Sequence, residues 1–133
     1  MKIFKCIYND KFKTEFILNE ESFKCEDGKY RYLYKIEFPN GKYYFGKHTT
    51  KNLNDGYGGS GSLLPKEYAH NNINNIKKII LKFLHNSDEL NIEEEKLINN
   101  LYLTDDNCLN YCKGGSGGIN EVIIRKISNS RKR

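Results

Sequence analysis

A chain of 133 residues is long enough for one domain with a modest core. No run of 18 apolar residues occurs, which excludes a membrane-spanning helix, and the opening MKIFKCIYNDK lacks the apolar stretch of a secretory signal. The net charge of +5 is uneven: residues 1–30 balance, 31–85 carry +6, 86–118 carry −5 and 119–133 carry +4. A basic surface flanking an acidic segment suits a polyanion with a cation, or an ordinary solvated surface. The expected location is cytoplasmic.

Residues 1–29 read as two short strands, Ile3–Tyr8 and Thr14–Leu18, with Asn9-Asp10 turn chemistry between them. Cys25-Glu26-Asp27-Gly28 reads as a further turn. Next, Tyr30, Tyr32, Tyr34, Ile36 and Phe38 alternate with Arg31, Leu33, Lys35 and Glu37, and Tyr43-Tyr44-Phe45 follows Pro39-Asn40-Gly41. That is a hairpin signal. A two-residue turn would pair Phe38 with Tyr43 and put Tyr34 and Tyr44 on opposite faces. A three-residue loop pairs Phe38 with Lys42 and Ile36 with Tyr44, and the two tyrosines then share a face. The Pro-Asn-Gly order favours the second, with Gly41 at positive φ.

Thr49–Gly61 is a polar loop containing Asn52, Asn54, Asp55 and four glycines, which let backbone approach a ligand closely. Leu63–His70 reads as a short helix with Pro65 in its first turn. Ile76–Leu84 fits either an amphipathic helix or a buried strand, and periodicity does not separate them. Asn86-Ser87-Asp88-Glu89 starts a helix predicted to reach about Leu101, with Leu90, Leu97, Ile98 and Leu101 as its apolar stripe. Glu94 falls on that stripe. A carboxylate there is costly unless it has a partner, a ligand or a path to water.

Two other chemistries receive little support. Gly41–His48 nearly matches a phosphate-binding P-loop, but Lys42-Tyr43-Tyr44-Phe45 is strand material and His48 replaces the magnesium-binding hydroxyl. Cys6, Cys25, Cys108 and Cys112 lack the paired spacing of a zinc site, so free thiols are expected.

The pattern Tyr32-Leu33-Tyr34, then Tyr44-Phe45-Gly46, then Lys47-His48-Thr49-Thr50 and Gly58-Gly59-Ser60-Gly61, resembles the GIY-YIG endonucleases, in particular the phage-type homing enzymes. Glu94, Asn110 and Gly114–Gly118 match the later motifs. The first triplet lacks its glycine, Leu109 stands where a tyrosine is usual, and the family's arginine has no clear counterpart, with Lys66 as a weak stand-in.

The resemblance implies an α+β fold, a small, mostly antiparallel three-stranded sheet flanked by helices, in which Ile76–Leu84 is the third strand. Residues 30–118 would be the nuclease-like domain, 1–29 a hairpin-like extension and 119–133 a basic tail. It implies metal-dependent hydrolysis of DNA phosphodiesters in the cytoplasm, including that of a virus-infected host cell. Tyr34 would be the general base or align the nucleophile, and Tyr44 would support it or contact the phosphate. Lys47 or His48 would steady the phosphate or assist proton transfer. Glu94 would hold Mg²⁺ or Mn²⁺, and Asn110 would orient the phosphate or a neighbouring side chain. The alternative is a noncatalytic nucleic-acid-binding module that retains the fold.

Overall fold

The structure is a computed structural model that describes residues 2–7, 10–14, 22–98 and 104–110. The elements are β1 (Lys2–Ile7), β2 (Asp10–Thr14), β3 (Tyr30–Glu37), β4 (Tyr43–Thr50), α1 (Leu64–His70), a 3₁₀ turn at Ile73–Asn75, β5 (Lys77–Phe83) and α2 (Ser87–Leu97). The fold is α+β, but its sheet has five strands in the order β2-β1-β5-β3-β4, every pair antiparallel. The expected three strands are its β5-β3-β4 part. The N-terminal hairpin extends the same sheet because β1 pairs with β5, Ile3 opposite Ile79 and Phe4 opposite Lys78. Its second strand lies earlier than expected, and Glu15–Leu18 fall outside the described residues.

The β3–β4 hairpin takes the three-residue loop. Ile36 is opposite Tyr44, the Phe38 amide donates to the Lys42 carbonyl at 2.9 Å, and Gly41 has φ +89°. Pro39 presets the first corner, and Asn40 Oδ1 accepts from the Lys42 amide at 3.1 Å.

The ambiguous Ile76–Leu84 stretch is a strand because both of its edges are taken, by β1 and β3. Isoleucine-rich, β-branched sequence suits a central strand of a sheet.

The faces have different covers. On the first, Tyr32, Tyr34, Ile36 and Ile80 pack with Phe4, Phe12, Leu64, Tyr44 and Tyr68, so α1 and the glycine loop lie there. On the second, Leu33, Leu84 and Leu90 form one cluster and Phe45, Ile98 and Cys108 another, with Leu97 against both. Helix α2 is the lid of that face. Asn86 caps it, its Oδ1 accepting from the Glu89 amide at 2.8 Å. Helix α2 ends at Leu97 with Ile98 as its C-cap, short of the expected Leu101. Residues 99–103 and the tail 111–133 lie outside the described residues.

Candidate functional site at the edge strand

Strand β4 is the axis of the site. It is an edge strand of the sheet, and side chains alternate across it: Tyr44, Gly46 and His48 face α1, while Tyr43, Phe45 and Lys47 face α2. All six residues singled out from the sequence lie on β4 or beside it, on two faces rather than one.

Tyr34 stands opposite Gly46 on β3, and its ring crosses over that glycine toward the sheet edge. A methyl at position 46 would overlap the Tyr34 hydroxyl, which is the physical reason for glycine in Tyr44-Phe45-Gly46. Tyr44 lies beside Tyr34 with ring centroids 6.3 Å apart. The glycine loop closes over both. A Cβ on Gly61 would come within 2.8 Å of the Tyr44 ring, and one on Gly59 within 3.3 Å of the Tyr34 hydroxyl. Gly59 also has φ +94°, a conformation that L side chains rarely adopt. Tyr68 fastens the loop by donating to the Gly58 carbonyl at 2.6 Å.

His48 adjoins this pair through residues that sequence reasoning missed. Its Nε2 lies 2.6 Å from Asp55 Oδ2, and its ring stacks on Tyr57 at 3.8 Å and 4°. The Tyr57 amide donates to Asp55 Oδ1 at 3.1 Å, a local turn that fixes the carboxylate. Tyr57 also meets Tyr34 edge-on, centroids 6.0 Å apart. Asp55-Gly56-Tyr57 reads as turn chemistry in sequence, and nothing local shows that it folds back on His48.

Lys78 is the second residue missed. It is 1% exposed, and its Nζ donates to the Tyr32 hydroxyl at 2.5 Å and the Tyr57 carbonyl at 3.0 Å. The rings of Tyr32, Tyr34, Tyr57 and Phe4 surround the ammonium at 4.8, 5.0, 5.6 and 5.8 Å. A lysine between Ile76 and Ile80 at strand spacing was the available signal.

Burial dominates the proton affinities. It pushes the Tyr34 phenol far above its ordinary range, and the neighbouring phenols Tyr44, Tyr57 and Tyr32 add to this. Tyr34 is therefore a donor at neutral pH. Burial likewise pushes Lys78 down to about 8, partly offset by Asp55. His48 is held below its ordinary value by burial, partly offset by its bond to Asp55. For Asp55 burial acts upward, but bonds from His48, the Tyr57 amide and Thr50 outweigh it and keep the carboxyl low. A neutral imidazole oriented by an ionised carboxylate results. It has the makings of a general base.

On the α2 face Glu94, 8% exposed, holds Lys47 Nζ at 3.3 Å, and Asn91 Oδ1 accepts from the same ammonium at 2.5 Å. Asn91 and Glu94 are three residues apart on one helix face. A carboxylate and an amide oxygen thus converge on a cation, a donor chemistry that fits a hard metal ion. Among the described residues no group of three or more His, Cys, Asp or Glu side chains could hold a metal. A divalent ion at Glu94 would therefore keep much of its water shell.

Asn110 is engaged with the backbone. Its Oδ1 accepts from the Phe45 amide and its Nδ2 donates to the Phe45 carbonyl, both at 2.7 Å. With Asn107 and Leu109 bonded to Tyr43, it seals the outer edge of β4 up to Phe45. Lys66 lies half-buried on α1.

The chain is similar to several proteins of Enterobacteria phage T4. It is 37% identical to "Putative endonuclease segE" over 108 residues, 78% of this chain and 53% of that protein. It is 35% identical to "Putative endonuclease segB" over 102 residues, 76% of this chain and 46% of that protein. It is 34% identical to "Endonuclease segA" over 117 residues, 80% of this chain and 52% of that protein. The chain spans about half the length of the curated relatives it matches. No family model and no solved structure matches it. No helix among the described residues is long and apolar enough to cross a membrane.

Proposed function

We propose that this chain is a metal-dependent DNA endonuclease domain of GIY-YIG type, belonging to a homing or related mobile-element enzyme. One observation carries the reading: the six expected residues lie on or beside strand β4, two tyrosines and a histidine on one face and a lysine–glutamate pair on the other. The relatives named as endonucleases support the substrate class.

In this reading the scissile phosphate sits over the edge of β4 beyond Asn110, where Tyr44, Lys47 and His48 are half-buried. Neutral His48, held by Asp55, takes the proton of the attacking water. Tyr34, protonated through burial, donates a hydrogen bond that aligns the water or a phosphate oxygen. Tyr44 flanks it. Lys47 places positive charge at the phosphate. Asn110 is a positioning residue, since it sets the backbone between Tyr44 and Gly46. Glu94, with Asn91 beside it, would hold Mg²⁺ or Mn²⁺, which supplies charge neutralisation at the phosphate and the leaving oxygen when bound.

One observation favours the second reading, a noncatalytic DNA-binding module. Tyr34 is 1% exposed beneath the glycine loop, so substrate must displace Gly59 to meet its hydroxyl. A nicking assay on supercoiled plasmid with Mg²⁺, Mn²⁺ or a chelator separates the two. Metal-dependent nicking by the wild type that is lost in Tyr34→Phe, with DNA affinity kept, is the expected result. DNA binding without nicking under any of these conditions overturns it in favour of the module.

A further inference from the structure

The N-terminal hairpin does more than widen the sheet. Across β2, β1 and β5 the register sets Lys13 opposite Lys5, and Lys5 opposite Lys77. Directly opposed residues project from one face, and all three are exposed. Strands lie about 4.8 Å apart, so the row spans about 10 Å of sheet. The same row continues to Glu37 on β3, which bonds Lys35 at 3.3 Å, and ends at Tyr43 on β4, next to Tyr44 of the site.

Ile3 and Ile7, 44% and 39% exposed, flank Lys5 on the same face, outside the cover that α2 gives to β3 and β4. The row of exposed lysines fits the phosphate backbone of a duplex, which carries one negative charge per about 1.7 Å of axis.

We propose that the exposed face of β2, β1 and β5 is a DNA-contact surface separate from the cleavage site, with Lys13, Lys5 and Lys77 lying along the phosphates. This rests on the reading that DNA is the substrate. The surface would anchor the duplex and add affinity without touching the chemistry.

The test is equilibrium binding of a fluorescent duplex in chelator, so that nothing is cut, over a series of salt concentrations. Three proteins are compared with the wild type. One carries Lys5→Gln, Lys13→Gln and Lys77→Gln, and a second carries arginine at the same positions. A charge-matched control carries Lys24→Gln, Lys51→Gln and Lys96→Gln, all exposed elsewhere. Circular dichroism and melting confirm folding. Each phosphate neutralised adds about 0.9 to the slope of log affinity against log salt. The glutamine row variant should therefore lose up to about 2.7 of that slope and bind about ten- to a hundred-fold more weakly. The arginine variant should match the wild type, and the control should change little. Equal losses in the row and control variants overturn the proposal, as does unchanged binding in both or wild type that binds no duplex. A row variant that keeps DNA affinity but loses binding to polyglutamate overturns it in favour of an acidic protein partner. Normal row-dependent binding by wild type that never cleaves leaves this surface standing and sinks only the endonuclease reading.

Discussion

At the scale of single residues, the sharpest division is between side chains whose charge is set by burial and those whose charge is set by a partner. His48 is under both influences. Burial lowers its pKa and the Asp55 bond raises it, with burial prevailing. The base form therefore persists below the ordinary histidine value of about 6.5, and the acid limb of a rate–pH profile should lie below that. Asp55→Asn removes the raising influence, so the limb should move to still lower pH while the plateau rate falls about ten- to a hundred-fold. A limb that moves upward would remove His48 from the role of base. Glu94 offers a second test with its own controls. Glu93 pairs with Lys82 at 3.5 Å and Lys96 at 3.7 Å, and Glu95 is exposed, whereas Glu94 turns inward to Lys47. Glu94→Gln should lower metal-dependent nicking by at least about 100-fold. Glu93→Gln and Glu95→Gln should leave it near wild type. Mn²⁺ binding read by electron paramagnetic resonance should weaken in the Glu94 variant alone.

At the scale of elements, β4 is positioned by three devices. The Pro39–Gly41 loop sets the register that puts Tyr44 on the face of Tyr34. Asn107, Leu109 and Asn110 bond its outer edge. Gly46 leaves the space in which the Tyr34 ring lies. Gly46→Ala should therefore destabilise by about 1–3 kcal/mol, since a buried aromatic ring in the sheet has little room to give. Denaturant unfolding measures this. It should also lower activity by more than the lost folded fraction explains, because the tyrosine hydroxyl must move. Wild-type stability in Gly46→Ala would show that the Tyr34 ring does not cross the strand.

At the scale of the whole molecule, the N-terminal hairpin and the core share a buried ammonium. Phe4 of β1 helps to enclose Lys78, whose pKa is pushed down to about 8 against an unfolded value of about 10.4. Below pH 8 the group is protonated in both states, and the folded state carries the full cost of the buried charge. As pH rises through this window the folded state loses its proton first, so the unfolded state binds more protons and stability increases. The span is on the order of 3 kcal/mol. Wild-type unfolding free energy should rise between about pH 8 and 10, and Lys78→Met should flatten the rise. A parallel pH profile in the variant would show the ammonium to be solvated. Cys6, Cys25 and Cys108 form no disulfide, and Cys112 lies outside the described residues.

What the chain carried legibly was local. Alternation marked β3, Pro39-Asn40-Gly41 determined both the loop length and the shared face of Tyr34 and Tyr44, and the spacing around Glu94 turned it inward. Each follows from a periodicity or a turn chemistry confined to a few neighbouring residues. Tertiary structure alone decided the rest. Whether Ile76–Leu84 is helix or strand depended on β1 and β3 lying against its two edges. The enclosure of Lys78 needed Phe4, Tyr32 and Tyr57, which are far apart along the chain. Lys47 and His48 point to opposite sides because β4 runs on to Thr50, and which partner waits on each side is a matter of layer packing. Glu94 meets Lys47 because α2 covers one face, and Asp55 meets His48 because the glycine loop folds back over the other. Local sequence prescribes the direction of a side chain, and only the assembled layers determine what it meets.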